Sequence, residues 1–273
     1  MSRATLLEIV RDTAQALRDL SPDEAQTEAR LLVAAAAGLP PRDVFRFSRT
    51  ELSAPQEASL RSLLSERLTG KPLQYILGEW EFMGLPFKTD ARALIPRQDT
   101  ETLCEACLAL IRGRGYKSCL DLCCGSGCVG ISLARLSGIR VALADVDEAA
   151  LSLARENAAI NNVSAAFMKS DLLENVRGRY DLVACNPPYL SDADMRSLQR
   201  EVAFEPRGAL YGGADGLDFY RALAQSAMEF INPGGALVME VGFGQAEAVS
   251  RLFPKTERTR DLNGIERVVT AYR

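Results

Sequence analysis

The chain reads Cys119-Leu120-Asp121-Leu122-Cys123-Cys124-Gly125-Ser126-Gly127-Cys128 where a short apolar run gives way to a helical pattern. An apolar run followed by a glycine-rich turn and a helix is typical of a buried parallel strand in an α/β sheet. Gly125 and Gly127 lack a Cβ atom, so the backbone can come close to a ligand that larger residues would push away. This stretch therefore predicts an α/β fold with a ligand site where its strand ends.

The chain after about Thr100 extends this pattern, because apolar strand segments alternate with helical ones. Such alternation predicts a sheet with helices on both faces. Asn263-Gly264 separates the last two strand segments and is a hairpin turn signal, so we expect the final strand to run antiparallel to its neighbour. The predicted strands are residues 119–122, 141–144, 165–168, 181–185, 236–241, 256–261 and 266–271.

The front part of the chain has apolar residues at helical spacing, which predicts a small bundle of helices. Within it, Ser21-Pro22-Asp23-Glu24 predicts a helix start with Ser21 as the cap, and Gly38-Leu39-Pro40-Pro41 ends that helix. Aromatic residues, glycines and β-formers then indicate a linker that contains a hairpin. The predicted division is an N-terminal helical domain at 1–71, the linker at 72–98 and a larger α/β domain at 99–273.

Composition narrows the classes of protein to which the chain can belong. With 273 residues, of which 47% are hydrophobic, it can bury a substantial core, and its net charge of −4 would not draw it to a phosphate backbone or an anionic bilayer. Its apolar runs are shorter than a membrane span, and Met1-Ser2-Arg3 leads into an amphipathic pattern that differs from a signal peptide. We expect a cytoplasmic monomer that binds no membrane and makes no direct contact with nucleic acid.

The chain contains no histidine, which excludes Ser-His and Cys-His catalysis and imidazole acid–base chemistry. Seven cysteines, an odd number, are expected to be reduced thiols in an intracellular chain. Cys104 and Cys107 have the spacing of half a zinc site, but they lie in a helical stretch and no second pair follows. This pattern favours buried thiols over a metal site, so we predict no bound metal.

Acidic residues after the next two predicted strands indicate a nucleoside-like ligand. Asp145 can accept hydrogen bonds from ribose hydroxyls, and Asp171 with Leu172 could flank an adenine ring. The loop has neither the third glycine of a pyrophosphate-binding fingerprint nor a P-loop lysine. Each acidic residue alone could equally be a helix cap or a turn residue, but together they favour S-adenosylmethionine. The predicted cofactor-binding residues are Asp121, Cys123, Cys124, Gly125, Ser126, Gly127, Asp145, Asp171, Leu172 and Asn186.

Asn186-Pro187-Pro188-Tyr189 follows the fourth predicted strand, whose carboxyl end reaches the same crevice. A planar NH2 group with a delocalised lone pair is a poor nucleophile, so an enzyme that methylates it must hold it in place. Asn186 and a neighbouring main-chain carbonyl can accept its two N–H groups, the prolines stiffen the loop and Tyr189 offers a flat face. The alternative is a proline-rich turn that only ends a strand. We predict Asn186, Pro187 and Tyr189 as catalytic residues, and residues 186–189, including Pro188, as the substrate-binding segment.

A set of segments in this chain matches one family pattern. They are Pro72-Leu73-Gln74-Tyr75-Ile76-Leu77-Gly78-Glu79, Leu94-Ile95-Pro96-Arg97, Asp99-Thr100-Glu101, the glycine-rich loop, residues 186–189, Glu205-Pro206-Arg207-Gly208-Ala209-Leu210 and Gly213-Ala214-Asp215-Gly216-Leu217-Asp218. Through them the chain resembles the bacterial protein-(glutamine-N5) methyltransferases that modify class-1 peptide chain release factors. The resemblance runs from about Pro72 to Arg273 and is looser in the helical front part.

The resemblance implies a Rossmann-like class I methyltransferase sheet of seven strands, with a small helical domain in front that binds the substrate. It implies S-adenosylmethionine as cofactor and, as substrate, the glutamine in the Gly-Gly-Gln loop of a release factor. By motif position, loop 123–127, Asp145, Leu172 and Asn186 would contact the cofactor, and residues 186–189 would hold the glutamine amide. The methyl group would pass directly to the amide nitrogen without a general base.

Two residues depart from the family pattern. Cys123 stands where the family usually has the first loop glycine, and Leu172 stands where an aromatic residue is common. A cysteine at this position predicts a backbone φ below zero, or room for a small side chain. Both departures could alter the affinity for the cofactor.

Two other functions are compatible with these motifs. The same four-residue loop can orient the exocyclic nitrogen of adenine or guanine, so a nucleic-acid amino methyltransferase is one alternative. Such an enzyme on duplex DNA needs a basic face or a recognition domain, and the sequence shows neither. The second alternative is a scaffold protein that keeps the cofactor fold without activity, and the intact residues 186–189 argue against it.

Overall fold

The computed structural model describes residues 4–273, so Met1-Ser2-Arg3 and the interpretation based on them lie outside the described part. The described residues form two compact units. One contains residues 4–78 together with 200–204, and the other contains residues 79–199 and 205–273. The domain boundaries at residues 71 and 98 stay predictions.

The first unit is built from short amphipathic helices. Helix α1 begins with a capping box, in which the Thr5 main-chain N–H donates to the Glu8 carboxylate at 2.8 Å. The apolar stripes of α1 and α2 face each other because their buried residues recur at helical spacing. Helix α2 ends at Gly38, as predicted, and this glycine adopts the left-handed conformation. The helices are α1 Leu6–Leu17, α2 Ala25–Ala37, α3 Ala54–Leu68 and α4 Leu73–Leu77.

The start of α2 differs from the prediction. The helix begins at Ala25 with Glu24 as its N-cap residue, so the assignment of Ser21 as the cap was wrong. The Ser21 hydroxyl instead donates a hydrogen bond of 2.9 Å to the Glu28 carboxylate. Because this hydroxyl lies against a buried acidic side chain, it is not available to cap the first turn.

Glu28 belongs to a buried ionic cluster in this unit. Arg67 has a fully buried side chain, and it donates to both oxygens of Glu28 at 2.7 and 2.8 Å and to Glu201 at 2.5 Å. Burial opposes the charge on Arg67, but the hydrogen bonds to Glu28 and Glu201 outweigh it and raise the pKa of Arg67. This pairing attaches residues 200–204 to the helical unit.

The second unit contains a β-hairpin and a seven-stranded sheet. The sheet order is β5-β4-β3-β6-β7-β9-β8; strands β3 to β7 are parallel, and β9 is antiparallel to both β7 and β8. The seven predicted strands and the antiparallel final strand are confirmed. The strands are β1 Glu79–Phe82 and β2 Leu85–Lys88 in the hairpin, then β3 Ser118–Leu122, β4 Arg140–Asp145, β5 Ala165–Lys169, β6 Tyr180–Cys185, β7 Ile231–Glu240, β8 Thr256–Arg260 and β9 Glu266–Tyr272.

Helices cover both faces of this sheet. Alternate residues of β3 divide between two apolar clusters, since Cys119 belongs to one cluster and Leu120 belongs to the other. Cys104 and Cys107 are fully buried on α5 in the first cluster, and burial raises the pKa of both thiols. The helices of this unit are α5 Gln98–Arg114, α6 Cys128–Ser137, α7 Glu148–Ile160, α8 Asp192–Arg196, α9 Asp218–Ser226 and α10 Ala246–Ser250.

Residues 4–273 contain neither a membrane-spanning helix nor a cluster of metal ligands. No helix in this range is both long and apolar enough to cross a lipid bilayer. The same range shows no grouping of three or more acidic or cysteine side chains with the arrangement of metal ligands.

Candidate active site

The carboxyl ends of β3, β4 and β6 meet where the strand order of the sheet reverses, which is the usual place for a ligand crevice. A cavity of about 230 Å³ lies at this edge. It brings together most of the predicted site, and Gly127, Pro187 and Tyr189 are the predicted residues that do not line it. The predicted residues in its wall are Asp121, Cys123, Cys124, Gly125, Ser126, Asp145, Asp171, Leu172, Asn186 and Pro188.

The glycine-rich loop turns sharply at Cys123, whose φ is 57°. The prediction of a φ below zero at this residue was therefore wrong. A residue with a Cβ atom in this left-handed region is strained by roughly 1–2 kcal/mol, which explains why a glycine suits the position. The half-buried Cys123 side chain packs against the apolar cluster beneath the sheet edge, and this contact offsets part of the strain.

Gly125 and Gly127 serve different purposes in the same loop. A Cβ atom on Gly125 would point into open space, with Ala93 at 3.8 Å as its nearest neighbour, so Gly125 leaves the cavity open. A Cβ atom on Gly127 would meet Ile131 at 2.8 Å and Leu143 at 2.9 Å. Gly127 is therefore required by the packing of α6 on the sheet.

Asp145 links the loop to the next strand. Its two carboxylate oxygens accept the main-chain N–H groups of Gly125 at 2.8 Å and Asp147 at 3.0 Å, and burial raises its pKa. A carboxylate has about four acceptor positions, so two remain for ligand hydroxyls. Asp121 lies deeper, accepts the Gly130 N–H at 2.8 Å, and has its pKa raised by burial to about 8.

Asp171 and Leu172 form the wall that follows β5. Leu172 has a φ of 42°, so its backbone, like that of Cys123, is left-handed without being a glycine. Its half-buried side chain packs against the same apolar cluster as Cys123. The position where the family pattern favours an aromatic residue is thus a strained turn beside the cavity.

The cavity also has walls to which the sequence assigned no role. They come from residues 92–97, from Pro206, Gly208 and Ala209, and from Phe219. Glu205 joins these two segments, because its buried carboxylate accepts the Ile95 N–H at 3.0 Å and pairs with Arg97. Both segments were recognisable as family motifs. Their common position at the cavity depends on the hydrogen bonds of Glu205 with Ile95 and Arg97, which join residues more than 100 positions apart. Local sequence patterns do not reveal such contacts.

Asn186 stands directly after β6, beside the glycine-rich loop. Its Nδ2 donates to the Thr100 hydroxyl at 3.2 Å, so its Oδ1 is the atom left as an acceptor for a ligand. Thr100 and Asn186 both line the cavity. Among residues 4–273, no hydrogen bond is donated to the main-chain carbonyl of Pro187, which leaves a second acceptor beside Asn186.

The end of this loop is held by distant parts of the chain. Leu190 exchanges two main-chain hydrogen bonds of 2.9 Å with the segment 210–212, and the Gln245 side chain donates to the Tyr189 carbonyl at 2.9 Å. A Cβ atom on Gly212 would lie 2.6 Å from the Pro188 carbonyl oxygen. The loop is therefore fixed by close packing as well as by its prolines.

Comparison with known proteins identifies the family. A release factor glutamine methyltransferase from Geobacter sulfurreducens is 38% identical to this chain over 273 residues, which cover 97% of this chain and 95% of that protein. The chain belongs to the release factor glutamine methyltransferase family. Within the family pattern, residues 8–78 match the model of the PrmC N-terminal domain, and residues 102–205 match that of the methyltransferase small domain.

Solved structures share the fold of this family member. A methyltransferase from Pyrococcus furiosus has a TM-score of 0.54 at 15% identity, over 79% of this chain and 98% of that chain. A 16S rRNA N2 G1207 methyltransferase from T. thermophilus, solved with AdoMet and guanosine, has a TM-score of 0.52 at 17% identity, over 71% of this chain and 49% of that chain. The chain therefore has a class I methyltransferase fold.

The family member is an S-adenosylmethionine-dependent methyltransferase, and its cavity fits that cofactor. The opening at Gly125 admits a ligand close to the backbone, and the Asp145 carboxylate has acceptor positions for ribose hydroxyls. Asp171 adds another acidic side chain to the wall of the cavity. The roles of the individual residues stay proposals.

Proposed function

We propose that this protein methylates the side-chain amide nitrogen, N5, of the glutamine in the Gly-Gly-Gln loop of class-1 peptide chain release factors. This modification would support translation termination, so we place the enzyme in the cytoplasm. The names of its relatives support a release factor and a glutamine as the substrate. The observation that carries the proposal is the acceptor pair formed by Asn186 Oδ1 and the Pro187 carbonyl beside the cofactor cavity.

The chemistry of an amide explains why such a pair is needed. The nitrogen lone pair is delocalised into the carbonyl, so reaction depends on holding the nitrogen in line with the electrophile. Asn186 Oδ1 and the Pro187 carbonyl would each accept one amide N–H, while Pro188 and Tyr189 would pack against the planar group. When bound, S-adenosylmethionine supplies an electrophilic methyl group.

The proton needs no protein base in this proposal. The chain has no histidine, and an N-methylated amide cation is strongly acidic, so its proton would leave to water after transfer. The contribution of the protein is therefore positional. Asn186, Pro187 and Tyr189 would act by orienting the amide and excluding other poses.

Mass spectrometry of a release factor incubated with this protein and S-adenosylmethionine tests the proposal. We expect one added methyl group on the glutamine of the Gly-Gly-Gln loop. A release factor in which that glutamine is replaced by glutamate is the control, and it should gain no methyl group. Methylation of isolated rRNA or DNA, with none on the release factor, would establish the nucleic-acid alternative instead.

We also propose that the helical domain at residues 1–71 binds the release factor. Phe45 and Phe47 are large exposed apolar side chains of this region, and each lies beneath an arginine guanidinium, at 6.0 Å from Arg30 and 5.6 Å from Arg46. Replacing both phenylalanines with alanine should raise the KM for the release factor by about 10-fold, the usual scale for an aromatic anchor. The Kd for S-adenosylmethionine should stay unchanged, and an unchanged KM would argue against this surface.

A further inference from the structure

Glu240 is a buried carboxyl group to which no role has been assigned. It ends β7, its side chain is 2% exposed, and its Oε2 atom has no hydrogen-bond partner among residues 4–273. Its main-chain carbonyl accepts the Tyr220 hydroxyl at 2.8 Å, so the backbone at this point is fixed. A buried carboxylate oxygen without a partner is costly, so its presence calls for an explanation.

Two hydroxyl groups of the active site face this carboxyl. One belongs to Thr100 in the first turn of α5, and the other belongs to Tyr189 at the end of the loop 186–189. Thr100 Oγ1 already accepts the Asn186 Nδ2–H at 3.2 Å, so its own hydrogen is available to be donated. Donation of this hydrogen to Glu240 would connect the Asn186 amide, through the Thr100 hydroxyl, to the Glu240 carboxylate.

We propose that Glu240 is a positioning residue that acts through the Thr100 hydroxyl to fix the orientation of the Asn186 side-chain amide. An ionised carboxylate only accepts hydrogen bonds, so Thr100 must donate to it and accept from Asn186. This turns Nδ2 of Asn186 inward and leaves Oδ1 toward the ligand. The inference rests on the proposed function, because Oδ1 matters only if the methyl acceptor carries an NH2 group.

The reverse orientation would prevent the reaction. If the Thr100 hydroxyl donated to Asn186 Oδ1, the Asn186 NH2 group would face the NH2 group of the substrate, and two donors would oppose each other. The two amide orientations have almost the same shape, so packing alone does not choose between them. A carboxylate next to Thr100 selects one orientation, because it has no hydrogen to donate and Thr100 must therefore donate to it.

Tyr189 receives a related constraint. Burial and the nearby Glu240 carboxylate raise the pKa of the Tyr189 hydroxyl, so this group keeps its hydrogen and can donate it to Glu240. Glu240 therefore acts on both ends of the loop 186–189, on Tyr189 directly and on Asn186 through Thr100. A single carboxylate can orient the first residue of the loop and anchor the last.

The protonation state of Glu240 provides the test. Burial raises the pKa of Glu240 to about 7, and the Asp99 charge adds to this, whereas Thr100, Arg267 and Tyr189 oppose it. A protonated Glu240 can donate to Thr100, and the constraint on Asn186 is then lost. The orientation should therefore be fixed above pH 7 and should weaken as the pH falls through 7. The titratable and charged groups around Glu240 are Asp99 on α5, Cys128 on α6, Tyr189, Tyr220 on α9 and Arg267 on β9.

The first experiment measures kcat for release factor methylation at saturating substrates. Glu240→Gln keeps the side-chain volume but can donate to Thr100, so kcat at pH 8 should fall about 10- to 100-fold, as expected for one lost charge-assisted hydrogen bond. The Kd for S-adenosylmethionine should not change. In the parent protein, kcat should fall as the pH drops below 7 and the carboxylate is protonated, and it should level off near the kcat of Glu240→Gln; this pH dependence should be absent in Glu240→Gln.

Variants of Thr100 are the matched controls. Thr100→Val removes the hydroxyl at constant shape and should lower kcat as much as Glu240→Gln does, whereas Thr100→Ser keeps the hydroxyl and should retain most of the activity. The double variant of Glu240→Gln and Thr100→Val should be no worse than either single variant, because both act through Asn186. Additive losses, or parental kcat and pH dependence in Glu240→Gln, would overturn the inference.

A second measurement needs no substrate. The side-chain NH2 signal of Asn186 in a ¹⁵N NMR spectrum, assigned by its loss in Asn186→Asp, should shift with an apparent pKa near 7. This shift should disappear in both Glu240→Gln and Thr100→Val. A signal that does not titrate overturns the role of Glu240, whatever the substrate is. A titrating signal in a protein that leaves release factor glutamine unmethylated overturns the proposed function alone.

Discussion

The glycine-rich loop at residues 123–127 and the loop at residues 186–189 leave adjacent parallel strands at the same edge of the sheet, where Leu122 pairs with Cys185. They are built in opposite ways. The first loop has a positive φ at Cys123, Gly125 and Gly127, whereas the second has none and contains two prolines. One loop bends its backbone to admit a ligand, and the other holds its backbone still so that it can present acceptor atoms.

The two loops also differ in what holds them. The glycine-rich loop is fixed by near neighbours, namely Asp145 on the adjacent strand and the first turn of α6. The loop at 186–189 is fixed by remote groups, including Gln245 and the segment 210–212. We therefore expect changes in the first loop to alter cofactor affinity and stability, and changes in the second to alter turnover.

Replacing Asn186 with alanine tests the second loop most severely. The variant loses the side-chain acceptor, so kcat should fall by about two to four orders of magnitude, on the scale of oxyanion-hole donor deletions. The free energy of unfolding should change little, because the removed hydrogen bond to Thr100 is a single neutral one of 3.2 Å. Steady-state kinetics at saturating release factor gives the answer, and a loss confined to KM would remove the positional role of this loop.

Asp145→Asn tests the first loop. The amide oxygen of asparagine cannot accept all the hydrogen bonds that the carboxylate shares between main-chain N–H groups and a ribose. The Kd for S-adenosylmethionine should rise about 10- to 100-fold, and kcat at saturating cofactor should stay near the parental value.

Titration calorimetry measures this change, and Glu148→Gln is a matched control. Glu148 is an exposed carboxylate in the first turn of the neighbouring helix α7 and does not line the cavity. Its substitution should leave the Kd unchanged. If Asp145→Asn binds the cofactor as well as the parent does, the loop is not organised by this carboxylate.

The smallest expected effect concerns Cys123. Cys123→Gly and Cys123→Ala both remove the sulfur, but only glycine relieves the strain at a φ of 57°. In urea unfolding, the glycine variant should be more stable than the alanine variant by about 1 kcal/mol. Equal stabilities would mean that the loop relaxes to another backbone conformation when its side chain is shortened.

Local patterns in the sequence predicted the parts of this molecule that local physics controls. Apolar runs located the strands, and the residues that follow them, Asp145 and Asn186, were placed at the sheet edge because parallel strands end together. The end of α2 at Gly38 was also predictable from the residues next to it. These features depend on neighbours within a few residues.

Other features depend on partners far along the chain, and the sequence did not reveal them. Ser21 was expected to cap a helix, but its hydroxyl binds Glu28, whose carboxylate is held by Arg67. The left-handed turn at Cys123 arises because the chain must leave β3 and enter α6 within a few residues, which residue type alone does not specify. The proximity of Glu240, at the end of β7, to Thr100 on α5 likewise depends on the folded sheet.

The ion pair between Arg67 and Glu201 carries a consequence for modularity. Residues 200–204 group with the helices near the N-terminus, although Glu201 lies 134 positions after Arg67 and the sequence on both sides of this segment belongs to the second unit. A fragment that ends at residue 78 keeps Glu28 but lacks Glu201, so the Arg67 guanidinium loses one of its two carboxylate partners. A fragment that starts at residue 79 contains residues 200–204 without the helices against which they pack. The first unit is therefore discontinuous in sequence. Exchanging it between homologues would require moving residues 200–204 together with residues up to 78.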